Sequence, residues 1–352
     1  MKKRVLVAMS GGVDSSVAAL ILKEEGYETT GVTMCLGMEG PSDRAACCGA
    51  NAIASARQAC DRLGIPHYVL DFSRPMKELV IDKFRSEYLR GRTPNPCIDC
   101  NRQLKFGFLW DEALALGFDF VATGHYAAII FREDGPCLVR PRDTRKDQTY
   151  FLYALNRSQL SRLLFPLADL TKDEVRQRAR EKGLQAAENR ESQDICFFPR
   201  GKMAGLFPEG AGCNPGDIVD LEGRYWGKHR GIVNYTIGQR TGLGISAPTP
   251  KYVLAIDAGQ NRLVVGEKAE LRRKGLIAGE VNFLTSPWPR EVKAKIRYRK
   301  KAAPCQVEVE GERLKVIFRE EEEAITPGQA VVFYDGDVLL GGGVIEEAWG
   351  GP

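Results

Sequence analysis

Up to about Phe198 the chain alternates short apolar runs with stretches whose apolar positions recur at helical spacing. Arg4 to Ala8, Glu28 to Met34, Tyr68 to Phe72 and Phe120 to Thr123 predict strands. Ser15 to Glu25, Ala45 to Leu63, Met76 to Arg90 and Leu104 to Leu116 predict the helices between them. Gly26, Gly64 and Gly117 stand where a left-handed residue readily ends a helix. Strands separated by helices imply a parallel sheet covered on both faces, with its ligand at the carboxyl ends of the strands.

From Pro199 a run rich in proline and glycine reads as a linker, and beyond it the apolar period changes to two. Val307, Val309, Leu314, Val316 and Phe318 alternate with polar residues around Gly311. Val331 to Tyr334 and Val338 to Leu340 flank Asp335-Gly336, a hairpin signal. The last third is therefore expected to be antiparallel, as a small barrel. Between linker and barrel, Gly216 to Glu270 reads as a third small module with short strands and a glycine-rich stretch from Gly227 to Gly244. The acidic run Glu320 to Glu323 reads as a solvated loop.

Candidate chemistry begins directly after the first strand. Ala8-Met9-Ser10-Gly11-Gly12-Val13-Asp14-Ser15-Ser16 is a strand end, a glycine turn and a helix start. Glycines let backbone donors approach a ligand, and the helix start adds unpaired N–H groups and a positive dipole end. This is a phosphate cradle. It has neither the Lys-Ser/Thr ending of a Walker loop nor the spacing of a dinucleotide fingerprint, which excludes both assignments.

At 352 residues the chain is long enough for two or three domains with real cores. Its net charge of +4 makes any nucleic-acid surface local. Arg140, Arg142, Arg145 and Lys146 form one basic group. Lys293, Lys295, Arg297, Arg299, Lys300 and Lys301, with Tyr298 among them, form another, expected to present alternate cations on one strand face to phosphates. The apolar stretch after Met1-Lys2-Lys3-Arg4 is too short for a secretory core, and no apolar run approaches a membrane span, so a cytoplasmic protein with no membrane partner is expected.

Ten cysteines are too sparse for a disulfide scaffold. Thr93-Pro94-Asn95-Pro96-Cys97-Ile98-Asp99-Cys100-Asn101 places two thiols on what reads as a proline-rigid loop, where a nearby helix start lowers a thiol's pKa. A third, Cys196, closes the α/β region. A redox or sulfur-handling site, a structural zinc site and inert thiols are the readings open to them; zinc lacks a second CxxC, and three histidines offer few substitute ligands. Cys35, Cys60, Cys137, Cys213 and Cys305 read as small buried hydrophobes, and Cys47-Cys48 as structural.

The loop at residues 10–15 resembles the pyrophosphatase (PP) loop of enzymes that split ATP between its α and β phosphates. Thr-Pro-Asn-Pro-x-x-x-Cys-Asn at 93–101, Ala-Thr-Gly-His-Tyr at 122–126 and Lys-Asp-Gln-Thr-Tyr-Phe-Leu at 146–152 follow it in order. Glu-Ser-Gln-Asp-Ile-Cys-Phe at 191–197 and Tyr-Thr-Ile-Gly-Gln-Arg-Thr-Gly-Leu-Gly at 235–244 complete the set. Together they resemble the bacterial tRNA-specific 2-thiouridylases over nearly the whole chain.

The resemblance implies an α/β, parallel-sheet, adenine-nucleotide α-hydrolase-like (PP-loop) catalytic domain over 1–200. A central β-containing module over 208–272 and a tRNA-contacting C-terminal antiparallel β-barrel over 275–352 would follow. It implies ATP-dependent replacement of the wobble uridine C2 oxygen by sulfur in the tRNAs for lysine, glutamate and glutamine. A cysteine desulfurase or sulfur relay protein would be the donor. Ala8, Met9, Ser10, Gly11, Gly12, Val13, Asp14, Ser15, Met34 and Gly124 would hold ATP, with Asp14 the partner of Mg2+. Cys100 falls on the nucleophile and Cys196 on the persulfide carrier. Asn95, Pro96 and Cys97 fall on contacts to the target base. His125, Lys146, Asp147, Gln148, Arg297, Tyr298 and Gln329 fall on tRNA contacts.

One position departs from the pattern. Well-known members carry an aspartate where this chain has Cys97. With Cys100 and Cys196 it is similar to the CxxC-plus-Cys arrangement of cluster-dependent tRNA thiolases, so a four-iron four-sulfur cluster stands beside the persulfide route. Outside this family, an amide-forming or argininosuccinate-type PP-loop enzyme and a non-enzymatic RNA-binding iron–sulfur sensor are the competing readings.

Overall fold

The computed structural model describes residues 2–37, 50–188, 196–197, 203–207 and 211–351. Cys47-Cys48, the first residues of the helix expected from Ala45, and Glu191 to Ile195 ahead of Cys196 lie outside them. The chain forms two compact units: residues 1–80, 97–199 and 336–339 make the first, and 81–96, 200–335 and 340–352 the second.

The first unit is built on a parallel sheet. β1 (Arg4–Ala8) lies between β2 (Glu28–Cys35) and β4 (Phe120–Thr123), with β3 (His67–Asp71) and Leu163–Leu164 at the edges. Val5, Leu6 and Val7 are buried on both faces of the central strand, as a strand covered by helices requires. α1 (Val13–Glu24) buries Val17, Ala18, Ala19, Leu20 and Leu22, and α2 (Ala50–Leu63) adds Ala56, Ala59 and Cys60 to the same core. Gly31 on β2 makes room for Cys60, whose Sγ would lie 2.6 Å from a Cβ there. Burial, with Asp61 nearby, pushes that thiol up to about 12, so it is a packing residue, as its apolar setting suggests. The helical segment expected from Leu104 begins earlier: Pro96–Asp99 is already helical and runs through the wider-wound Cys100–Phe108 into Leu109–Ala115.

The second unit holds the β-rich part. Its central module is a four-stranded sheet in the order Tyr252–Asp257, Arg262–Gly266, Gly216–Val219, Tyr225–His229. Six further strands, Arg272–Phe283, Glu291–Lys295, Ala303–Glu310, Arg313–Glu323, Ala330–Asp335 and Val338–Trp349, form a barrel. It closes because Val338–Trp349 pairs back to Arg272–Phe283, as in Leu276↔Ala348. Gly336 has φ +58 in the expected hairpin and Gly311 φ +65 in the turn between Ala303–Glu310 and Arg313–Glu323. The acidic run is no loop. Glu320 to Glu323 end a barrel strand, where Glu322 is opposite Arg273 and pairs with Lys300, and Glu323 is opposite Arg272. Cross-strand cations hold in register what composition alone read as solvated.

His229 locks the central module. Its buried ring accepts the Gly231 N–H on Nδ1 (3.0 Å) and meets the Asn261 carbonyl with Nε2 (3.0 Å), a pattern that only the neutral Nε2–H ring satisfies. Burial is the main cause holding its pKa below the usual imidazole range. The unfolded chain therefore takes up a proton that the folded unit refuses. Stability is complete above about pH 6.5 and falls below it, by at most about 1.4 kcal/mol per pH unit for this one group. Denaturant midpoints at pH 7.5 and 5.5 should show the loss, and His229→Gln should lessen it, leaving the share that His125 contributes; equal midpoints in the wild type would refute it.

Candidate active site

The turn between β1 and α1 is shaped by what its neighbours exclude. Gly11 has φ +74, and a Cβ there would lie 2.4 Å from the Ala52 carbonyl oxygen, so only glycine fits. Gly12 caps α1. Ser15 Oγ donates to the Gly12 carbonyl (3.1 Å) and accepts the Ser10 N–H (3.1 Å), while Ser10 Oγ lies 3.2 Å from it. These bonds curl the loop around the start of α1, whose first N–H groups no intrahelical carbonyl reaches. Gly124, just past β4, supports the loop from the side. A Cβ on it would lie 2.7 Å from both Asp14 C and Ser15 N.

Asp14 stands in the first turn of α1. Lys172 Nζ donates to both of its carboxylate oxygens at 2.7 Å, and Tyr126 Oη donates to Oδ1 at 3.0 Å. Lys172 is 5% exposed although it is charged. It opens the helix Lys172–Glu181, which Thr171 and Glu174 start with a capping box, and its N–H donates to Asp143 Oδ2 (3.1 Å). The Asp14 carboxylate and the loop's serine hydroxyls are hard oxygen donors of the kind Mg2+ takes, so the residue types fit a magnesium-nucleotide site.

The residues chosen from motif 146–152 hold this corner together. Gln148 brackets Tyr126, accepting its N–H on Oε1 (2.8 Å) and donating its own N–H to the Tyr126 carbonyl (3.0 Å). Asp147 Oδ1 accepts Thr149 N–H (2.9 Å) and Oγ1–H (2.6 Å), and Arg140 lies 3.6 Å from Oδ2. His125 is buried between Phe106 and Phe165, with Nδ1 2.7 Å from Thr123 Oγ1. Burial, then the Lys105 charge, holds its pKa well below the usual imidazole range and keeps the ring neutral. Arg142 reaches the Asp169 carbonyl and Glu174, and Arg145 reaches Asp143, so the first basic group is largely matched by acid. Met34 is half-buried near the end of β2, beside the loop-bearing strand.

Cys97 and Cys100 are not on a loop. Pro96 occupies the first helical position, where its fixed φ suits a helix and its missing N–H costs nothing, so the two cysteines stand one turn apart on a helical start. Cys97 is exposed, while Cys100 and Cys196 are half-buried. Asn101 donates to the Phe151 carbonyl (3.0 Å) and accepts from Lys105 (3.0 Å), tying the segment behind Cys100 in place. Among the described residues no three Cys, His, Asp or Glu side chains form a metal-ligand group. Cys137 and Cys305 are buried with raised pKa values, that of Cys305 pushed up to about 12 by burial, in keeping with packing roles.

Within the second unit, the stem leading to these cysteines is clamped. Thr93 N–H donates to the Pro327 carbonyl (2.9 Å), and Gln329 Nε2 donates to the Thr93 carbonyl (2.8 Å). A Cβ on Gly328 would lie 2.9 Å from Thr93 N, and one on Gly91 2.8 Å from the Ile256 carbonyl oxygen. Asn95 is half-buried and Pro96 buried. Arg297 turns inward, donating to the Ile237 carbonyl (2.8 Å) and Thr326 Oγ1 (2.6 Å). Tyr298 receives Lys295 Nζ over its ring at 5.3 Å. The expected row of cations is thus divided: Lys293, Arg299 and Lys301 are exposed, whereas Arg297 and Lys300 have partners inside the unit.

Lys172, Tyr126 and Asp143 join the corner beyond the residues expected from sequence: Tyr126 ends the motif at 122–126, and Lys172 directly follows an N-cap, the helix end that disfavours a cation.

Three family models match the chain: the tRNA methyl transferase HUP domain over residues 3–200, the tRNA methyl transferase PRC-barrel domain over 209–267 and the aminomethyltransferase β-barrel domain over 273–345. It is 56% identical over 349 residues to the tRNA-specific 2-thiouridylase MnmA 1 of Syntrophus aciditrophicus, covering 99% of this chain and 94% of that one. It is 49% identical to the tRNA-specific 2-thiouridylase MnmA of Carboxydothermus hydrogenoformans, covering 98% of each. With the tRNA-specific 2-thiouridylase MnmA of Geobacter metallireducens the identity is 47%, over 99% of this chain and 98% of that one. A glycine loop at a helix start backed by a carboxylate, two cysteines at a helix start and this likeness along the full length agree: the chain belongs to the tRNA-specific 2-thiouridylase family.

Proposed function

We propose that this chain, as an ATP-dependent tRNA-uridine 2-sulfurtransferase, replaces the C2 oxygen of the wobble uridine by sulfur in the tRNAs for lysine, glutamate and glutamine. The observation that carries this reading is 56% identity to a 2-thiouridylase across 99% of the chain. The names of the family models speak of methyl transfer, but a donor loop at a helix start is built for phosphates.

The uridine C2 oxygen leaves poorly by itself. In the first stage it attacks the α phosphorus of ATP: the O–P bond forms, the bond to the β phosphate breaks, and pyrophosphate departs. Ser10 to Ser15 would present donors to the phosphates, and Asp14 would hold Mg2+, which would supply charge neutralisation there. In the second stage a persulfide sulfur on Cys196 attacks C2 and AMP leaves with the oxygen. The Cys100 thiolate then attacks the inner sulfur, so the S–S bond breaks, 2-thiouridine is released and a Cys100–Cys196 disulfide remains for a thiol reductant to reopen. A cysteine desulfurase or relay protein would charge Cys196. The base must leave its stack, which costs a few kcal/mol and less in an anticodon loop.

Lys146, Tyr298 and the exposed Lys293, Arg299 and Lys301 are the groups we assign to the RNA, with Asn95, Pro96 and Cys97 at the base. The bonds of Asp147, Gln148, Arg297 and Gln329 favour a role in shaping the surfaces that meet RNA, and burial favours the same for His125. No helix among the described residues is long and apolar enough to cross a membrane.

Cys97 in the aspartate's place is the one observation that favours a cluster instead, which three thiolates could hold with one iron left open. Anaerobic protein, assayed with tRNA, ATP and a low-molecular-weight persulfide, tests both. Sulfur transfer with one pyrophosphate released per sulfur, undiminished in iron-free protein, is expected. Transfer only after iron and sulfide are restored would establish the cluster route, and no transfer in either state would overturn the function.

A further inference from the structure

Lys172 breaks two electrostatic rules at once. A lysine is rarely buried, and a cation is disfavoured at the first position of a helix, yet the Lys172 side chain is 7% exposed at the start of a ten-residue helix. What compensates the ammonium is Asp14 on α1; Asp143 accepts the Lys172 backbone N–H, and Asp173 and Glu174 stand in the same first turn. The ammonium nitrogen sits symmetrically on Asp14, 2.7 Å from each carboxylate oxygen. Tyr126 donates to one of those oxygens at 3.0 Å. The carboxylate that a metal bound with ATP requires is thus already occupied by a protein cation.

We propose that Lys172 is a resident cation that holds the Asp14 carboxylate until nucleotide arrives, so that the loop does not take up a divalent cation alone. The inference rests on the reading of Asp14 as the metal's partner. Both cations need the same two oxygens. An ammonium bonded to both excludes an ion that must approach to about 2.1 Å. Entry of the triphosphate changes the balance by bringing negative charge of its own, which makes room for the ammonium and the metal together. Lys172 is a positioning residue in this scheme, and it sets an order: nucleotide and metal enter jointly, never metal first.

Mn2+ alone, titrated against the nucleotide-free protein by electron paramagnetic resonance of the unbound ion, reads this directly. Wild type should bind it weakly, in the millimolar range; a micromolar site on the wild-type loop, removed by Asp14→Asn, overturns the proposal without any change at Lys172. Lys172→Met keeps the apolar stem and removes the charge, and should bind Mn2+ at least tenfold more tightly. Lys172→Arg keeps the charge and should stay weak. A folded Lys172→Met protein with unchanged Mn2+ affinity also overturns the proposal. The double variant Asp14→Asn/Lys172→Met separates the two layers. Loss of the gain supports both, whereas a gain that survives shows that Asp14 is not the ligand and removes the underlying reading.

Discussion

Serine in place of Cys100 should lower sulfur transfer to tRNA by about a thousandfold or more while tRNA-dependent release of pyrophosphate from ATP continues. The reason is chemical. At neutral pH a hydroxyl yields almost no alkoxide, and an oxygen cannot close the disulfide that frees the product from a Cys196 persulfide. The substitution itself is mild, since Cys100 is half-buried on a helical segment tied down through Asn101 and Lys105. Following labelled sulfur and pyrophosphate in the same reaction checks it. Joint loss of both signals would move Cys100 from sulfur chemistry to positioning of the base, and unchanged sulfur transfer would remove it from the site.

Alanine at Gly124 should abolish productive ATP binding, weakening it by about a hundredfold or more, and should destabilise the first unit by about 1–3 kcal/mol. The added carbon meets backbone, not a side chain that could swing away: Asp14 C and Ser15 N both lie 2.7 Å from its position. Either β4 or the first turn of α1 must yield, and the loop's donors move with the helix. Isothermal titration with a non-hydrolysable ATP analogue, alongside thermal unfolding, measures the two effects. Unchanged affinity would show that the loop keeps its shape without support from β4.

The sequence made the sheet and the loop readable because their signals are local. Val5 to Val7 must be buried on both faces, and Gly11 must adopt a conformation that other residues resist. Lys172 was unreadable for the opposite reason: it is 158 positions from Asp14, and nothing in a lysine behind a capping box tells that it turns inward. Pro94 and Pro96 suggested one rigid loop, but a proline at a helix's first position rigidifies just as well, and Pro96 takes that role. The basic run around Tyr298 overstated the exposed charge because its partners, Thr326, Ile237 and Glu322, lie on other strands and turns. Period and composition report which side chains are charged; whether the charge faces water depends on contacts that neither contains.

The stem Gly91 to Pro94 is fastened to the barrel turn at Pro327 to Gln329 and to Ile256 of the central module. Heredity should respect that fastening. In a chimaera of two relatives, residues 81–96 ought to travel with the C-terminal half of the donor, although they lie among residues of the first unit in the linear chain. A crossover placed near residue 200 would pair one parent's glycine-threonine seam with the other's turn, where a Cβ added at Gly91 or Gly328 would come within 2.8 to 2.9 Å of facing backbone. Two crossovers flanking 81–96, added to that one, should recover the active recombinants that a single cut loses.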